Sequence, residues 1–304
     1  MNNKTLFADS SLLFVAFIWG TTFVLVQNAI DTLPPLAFNA VRFFIAAACL
    51  IIWLVSINRK KQVAKVSLKI ITSGVILGIL LFAGYAFQTI GLLYTTTSKA
   101  AFITGLSVVL VPIFSLILFK QKPQLFPVVG IFLALIGLYL LTMINTFGIA
   151  FGDLLVLGCA ISFALHIIYT GYFAKKHEAL MLTVIQITTV SILSFTSSLL
   201  FEDWKSVFSL QVLLNKDVML AIGITSFLAT ALAFFIQTST QQYTTPTKVG
   251  IIFAMEPVFA ALTAFLFTSE TLGKSAIIGC FLIFLGMILA ELPAIKKLKR
   301  LKQA

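Results

Sequence analysis

The stretch Gln88–Lys99, "QTIGLLYTTTSK", returns 149 residues later as Gln237–Lys248, "QTSTQQYTTPTK". The same offset pairs Ile103 with Ile252, Gly130 with Gly279, Phe132 with Phe281, Leu133 with Leu282 and Gly137 with Gly286, with no gap. Self-similarity at one long period means two copies of one structural unit. What each copy is built from follows from the residues around the repeated stretch.

Sixty per cent of the 304 residues are hydrophobic and only 10% are charged; the mean hydropathy is +1.09. A soluble domain carries about a quarter charged residues, so this chain lacks the polar residues for a hydrated shell and its solvent is largely lipid. The net charge of +11 does not signal nucleic acid, because the basic residues sit in short gaps between apolar runs. Cys49, Cys159 and Cys280 lie inside such runs with no CxxC spacing, which argues against a disulfide frame or a metal site. The run Ser11–Ile30 is too long for a secretory signal core and reads as a retained first span.

A helix needs about 20 apolar residues to cross the hydrocarbon core. Such runs occur at 11–30, 36–55, 70–93, 99–119, 126–144, 153–174, 180–201, 217–240, 246–268 and 275–293. The expected fold is therefore an all-α integral membrane protein of ten transmembrane helices. Residues 1–149 form one five-helix unit, and 150–304 form the second with a basic tail. Five is odd, so the second unit enters the membrane from the opposite side and the repeat is inverted. Lysine and arginine set the orientation. With the N-terminus inside, sixteen fall on inner segments and four on outer ones, which predicts both termini in the cytoplasm. The tail "KKLKRLK", Lys296–Lys302, then anchors topology near anionic headgroups.

Inverted repeats give two half-molecules that can exchange conformations, with a substrate site near the midplane between them. Ionisable residues well inside the spans are Arg42, His166 and Glu256, and each is expected to face the interior or a water-filled cavity. Glu256 is followed by Pro257, which has no N–H and frees the carbonyl of Phe253, so a helix bend is expected there; Pro112 marks a bend in the fourth span. Glu256 reads either as a pathway carboxylate or as a structural acid. Arg42 either snorkels to the surface or offers a fixed cation to a carboxylate. Its nearest counterpart in the second unit is Gln186. His166 stands with Tyr169 at i+3, and reads as a histidine bonded to a tyrosine or as a proton-coupling site.

Gln88-Thr89 and Gln237-Thr238 are equivalent by the repeat and either line the pathway or tie helices together. Trp19 and Tyr85 add aromatic surface. Lys99 and Lys248 open their spans on opposite sides, where a cation opposes the helix dipole; they either draw anions or are simply solvated. Gly130, Gly137, Gly279 and Gly286 read as close packing between repeats or between protomers. In the outer segment before the eighth span, Val207, Leu210 and Leu214 share a face suited to an interfacial helix.

"AFIWGTTFV" in the first span, "VRFFIAA" in the second, the Tyr-Thr-Thr steps and "MEPVFAALTAFLFTSETL" together resemble the EamA-type transporters of the drug/metabolite transporter superfamily. That resemblance implies a ten-helix carrier of the inner membrane that moves small metabolites such as amino acids, often outward. The chain departs from the pattern where Thr268-Ser269-Glu270 replaces Leu-Gly-Glu and where Gln121 stands at the matching site of the first copy. Pro112 also lies four residues later than the position matching Pro257.

The expected function is a secondary transporter, with a small-molecule substrate and membrane lipid as its partners. An intramembrane enzyme is the rival reading, but the sequence has no HExxH, no phosphate-cradling G-x4-GK[ST] and no GxGD. A scaffold would carry a larger soluble part. No motif calls for a metal or another cofactor.

Overall fold

The computed structural model describes residues 3–58, 67–120, 124–142, 150–209, 212, 215–267 and 273–292. Most of the basic segment after span 2, the basic tail, Gln121, Leu210, Leu214 and residues 268–270 lie outside the described residues. Span 1 is Asn3–Ile30, span 2 Pro35–Asn58, span 3 Leu68–Gly91, span 5 Leu125–Thr142, span 6 Phe151–Phe173, span 7 Ala179–Phe201 and span 10 Lys274–Glu291. Span 4 is two helices, Thr97–Gly105 and Ser107–Phe119; span 9 is Pro246–Phe253 and Glu256–Phe267. Span 8 runs Lys216–Ile224, then a π-helical stretch Thr225–Leu232, then Ala233–Thr240.

Among the described residues nine helices are long and apolar enough to cross a membrane, and a tenth is apolar over Lys274–Ala290. Phe14, Ile52, Ile117, Phe132, Phe201, Leu266 and Phe281 point outward and exposed, while serines, threonines and amides are buried. That inside-out pattern suits lipid as solvent. Several interior hydroxyls are satisfied by the carbonyl one turn back, as with Thr22 on Ile18 and Thr225 on Ala221.

The repeat is visible in the packing. Span 5 lies along span 10, span 2 along span 7, and span 3 against spans 6 and 7 while span 8 lies against spans 1 and 2. Thr96 and Thr245, the third residues of the two Tyr-Thr-Thr steps, cap the helices that follow by accepting from the Lys99 and Lys248 amides. Glu202, after span 7, accepts from the Leu36 and Ala37 amides at 2.9 and 2.8 Å and so caps span 2 of the other repeat. The stretch after span 7 includes a short 3-10 helix, Trp204–Phe208, with Val207 packed against a buried cluster that includes Ile30, Phe38 and Val218.

Two expectations change. Span 1 starts at Asn3, two turns earlier than its apolar run, because Asp9 is 6% exposed and paired with Lys248. Span 4 is interrupted at Leu106, and Pro112 sits inside the unbroken helix Ser107–Phe119. Leu106 and Ser107 correspond by the repeat to Met255 and Glu256, and span 9 is interrupted at Ala254 and Met255, just before Glu256. The break is thus a property of the repeated unit. Pro257 fits the second copy because it occupies the first turn of a new helix, where its missing N–H has no intrahelical partner to lose.

Candidate functional site

A cavity of about 580 Å³ lies between the two repeats, within the range of small-molecule sites. Its walls take Trp19 and Thr22 from span 1, Arg42 from span 2, and Tyr85 and Gln88 from span 3. Phe163 and His166 of span 6, Phe234 and Gln237 of span 8, and Phe253 and Glu256 of span 9 complete them. Toward the face that carries Lys99 the lining continues through Asn28, Leu92, Ala101, Thr142 and Gly273 at span ends. Toward the Lys248 face it stops at Trp19, His166 and Gln237. The cavity therefore opens to one side.

Arg42 is 3% exposed, so it does not snorkel. Its Nε donates to Thr230 Oγ1 at 2.7 Å, and Nη2 lies 3.4 Å from the Ala229 carbonyl and 3.5 Å from Tyr85 Oη. The guanidinium stacks near the Phe43 and Tyr85 rings, at 5.4 and 5.0 Å. Thr230 and Ala229 belong to the π-helical stretch, whose wider turn presents them to spans 1 and 2; Trp19 Nε1 also donates to the Ala229 carbonyl, at 2.8 Å. π-Helical turns are rare and recur at functional sites. The matching residues of span 3, 76–83, are ordinary α-helix, so this cradle exists in one repeat only. Among the described residues no carboxylate lies within 4 Å of Arg42.

His166 donates from Nε2 to Gln186 Oε1 at 3.0 Å, and Gln186 Nε2 donates on to Thr238 Oγ1, also at 3.0 Å. The hydroxyl of Thr170, one turn on, sits 3.5 Å from the same ring nitrogen. Its partner is thus an amide and not a tyrosine. Tyr169 turns away from the cavity and packs on Phe119 and Phe173. The repeat-equivalent Thr89 accepts from Asn39 Nδ2 at 3.2 Å. Thr89 and Thr238 are 1% and 0% exposed and tie span 2 to 3 and span 7 to 8. Their neighbours Gln88 and Gln237 line the cavity. The two dipeptides therefore divide their roles, with the amide facing the cavity and the hydroxyl holding helices.

Sequence reasoning placed the three ionisable residues but missed Thr230, the Ala229 carbonyl and the aromatic walls Phe163, Phe234 and Phe253. Nothing in "TSFLATAL" signals a π-helix. The two lysines are not simply solvated: each is ion-paired. Lys99, 7% exposed, pairs with Asp153 at 3.4 Å, and Lys248 pairs with Asp9 at 3.6 Å. Each pair joins the fourth helix of one repeat to the first helix of the other. Among the described residues no three His, Cys, Asp or Glu side chains gather as a metal site would require.

The sequence pattern of the EamA-like transporter family matches residues 6–143 and again 150–292. The chain belongs to the EamA-like transporter family. An uncharacterized transporter of Archaeoglobus fulgidus is 36% identical over 294 residues, covering 95% of this chain and 87% of that one. The uncharacterized transporter YvbV of Bacillus subtilis is 26% identical over 92% of this chain and 90% of its own length. A solved crystal structure matches the fold with a TM-score of 0.75 at 20% identity, covering 92% of this chain and 95% of that one. The protein is a multi-pass membrane transporter and not an enzyme; the cavity between its two EamA units is where a small-molecule substrate has room to bind.

Proposed function

We propose that this EamA transporter is a secondary carrier for small amphoteric metabolites of the amino-acid kind. It works outward by alternating access across the inner membrane, with both termini in the cytoplasm. One observation carries the substrate class: Arg42 and Glu256, one from each repeat, line the same cavity without an ion pair between them. A molecule with a carboxylate for Arg42 and an ammonium for Glu256 brings both charges the compensation that burial demands. Trp19, Phe163, Phe234 and Phe253 give its apolar part a surface. Positive-inside counting supports the orientation, and it makes the Lys99 face the outer one.

Glu256 and His166 are also the titratable groups on the wall that proton coupling would use. The test is flux from liposomes holding the purified protein, with a panel of amino acids and their decarboxylated and deaminated analogues. The zwitterions are expected to exchange fastest, Arg42→Met to abolish their flux, and Glu256→Gln and His166→Ala each to change its pH profile. Flux that ignores both charges of the substrate would rule the reading out.

A further inference from the structure

The two Tyr-Thr-Thr-x-x-Lys steps are the same sequence in two different settings. On the Lys99 face, Asp153 is fully engaged. Its Oδ1 accepts a short bond from Thr95, and its Oδ2 accepts from the Ala150 amide at 2.8 Å and faces Lys99 Nζ at 3.4 Å. On the Lys248 face, Asp9 meets Lys248 Nζ at 3.6 Å, and among the described residues both of its buried oxygens lack a hydrogen bond. Thr244, the repeat counterpart of Thr95, is 7% exposed, and its hydroxyl has no hydrogen bond among the described residues. A buried carboxylate and a buried hydroxyl left unbonded are costly, and a costly arrangement in one state is what a second state can relieve.

The helices that begin at these steps are placed differently too. Ala101 and Thr104, on the Lys99 side of span 4, stand on the cavity wall. Their counterparts by the repeat are Gly250 and Phe253. A Cβ on Gly250 would already touch Val111 at 3.5 Å, and Val249, Ile251 and Ile252 are buried with Leu12, Ala16, Val108 and Val111. Span 4 thus lines the cavity from Ala101 onward and is the drawn-back copy, while the matching half-helix of span 9 reaches it only at its end, at Phe253 and Ala254, the preceding residues being packed. The fully bonded clamp sits at the drawn-back copy, on the face where the cavity is open.

We propose that the two clamps are made alternately. Thr95 and Lys99 on Asp153 hold the outer half of span 4 aside and keep the Lys99 face open. Exchange of conformation releases that clamp and closes the one of Thr244 and Lys248 on Asp9, which draws back span 9 and opens the Lys248 face. The inference rests on the alternating-access reading above, and it adds which contacts set the balance between the two states.

The test places one cysteine on the cavity wall at mid-membrane, Ser107→Cys, in a chain whose Cys49, Cys159 and Cys280 are replaced. Its rate of modification by a membrane-impermeant maleimide is measured from each face, in right-side-out and inverted vesicles, and expressed as the ratio of Lys99-face to Lys248-face rates. Thr95→Val removes a bond to a carboxylate in the state seen here, so the ratio is expected to fall about tenfold. Thr244→Val removes the bond of the other state, so the ratio is expected to rise about tenfold; the double variant returns toward the parent. Opposite shifts cannot come from misfolding, which moves both variants the same way. Ratios that stay within twofold, or shift in one direction, overturn the clamp while leaving alternating access standing. Labelling from one face only in every variant overturns alternating access, and the clamp with it.

Discussion

Spans 5 and 10 bring the backbones of the two repeats into close contact, and the seam gives a stability prediction with a magnitude. An alanine Cβ at Gly137 would sit 2.6 Å from the Gly279 carbonyl oxygen, and one at Gly130 would sit 2.5 Å from that of Gly286. The contacts are reciprocal, since Gly279 and Gly286 meet the Gly137 and Gly130 oxygens at the same distances. Ordinary contact begins near 3.4 Å, so a single alanine requires the two backbones to part by roughly 0.8 to 0.9 Å. A gap of that size forfeits about a quarter to a half of each dispersion well it opens.

Ile131, Ala134 and Leu138 face Ile283, Met287 and Ala290 across this seam. With on the order of 40 atom pairs at about 0.1 to 0.2 kcal/mol each, the loss is about 2 kcal/mol per site, in the range of other overpacked positions. Lipid gives nothing back, because acyl chains are as apolar as the residues exposed. Gly137→Ala with Gly279→Ala should cost less than the sum of the singles, since the second methyl enters space the first has opened. Unfolding by sodium dodecyl sulfate in mixed micelles, followed by circular dichroism, measures both quantities. If all four single alanines fall within about 0.5 kcal/mol of the parent, the seam is looser than described. A loss that grows on dilution would instead place the glycines between protomers.

Thr230→Val keeps the side-chain shape but removes the acceptor 2.7 Å from Arg42 Nε; bonds to charged groups are worth about 1.5–3 kcal/mol. On the transport reading KM should rise at least about tenfold, and because the bond also ties span 8 to span 2 melting temperature should fall by a few degrees, as flux assays and thermal shift together will show. Gln186→Leu strands both the His166 N–H and the Thr238 hydroxyl and should cost about 2–3 kcal/mol, read as a fall of several degrees in melting temperature. Outside the spans, burial and then the charge of Lys176 hold the His177 imidazole below its ordinary value, while its Nε2 sits 3.1 Å from Ser73 Oγ. The unfolded chain then takes this proton at higher pH than the folded one, so the contribution is complete above the ordinary imidazole range and lost below it. Melting temperature should decline slightly below about pH 6.5, and His177→Gln should remove that part of the decline.

The ten spans were legible because lipid makes hydropathy a length measurement, and the inversion was legible because five is odd. The seven-residue spacing of the glycines put them on one face, and the structure decides that the face belongs to the seam between repeats. Arg42, His166 and Glu256 stood out since charge is scarce in an apolar run. What stayed hidden depends on tertiary partners. Asp9 falls before the apolar run 11–30, and its partner in the structure is a lysine 239 positions away, which no local pattern reveals. Asn39, which holds Thr89, and the π-helical turn that holds Arg42 carry no local sequence signal. Pro112 misled because proline is the strongest local marker of a break, whereas the interruption in span 4 follows the repeat.

A scaffold with two-fold pseudosymmetry would, left to itself, offer like groups to both ends of a ligand, and this cavity does not. Arg42 is the eighth residue of span 2, and the eighth residue of span 7 is Gln186, which is spent on His166 and Thr238. Glu256 follows the break in span 9, and Ser107 follows the break in span 4. Each repeat has thus kept one charge and neutralised the position that would have copied the other's. On the transport reading this asymmetry is what lets a substrate with unlike ends keep a single orientation while the halves exchange shape around it. The contacts that govern exchange can be repeated in both units, as the glycine seam and the residues of the Tyr-Thr-Thr-x-x-Lys clamps are, because they set which face is open. The charges must stay asymmetric, because they set how the ligand lies. Division of labour of that kind explains why the repeat is strong from Gln88 to Gly137 and faint in the first two spans of each unit, where Arg42 and Gln186 are found.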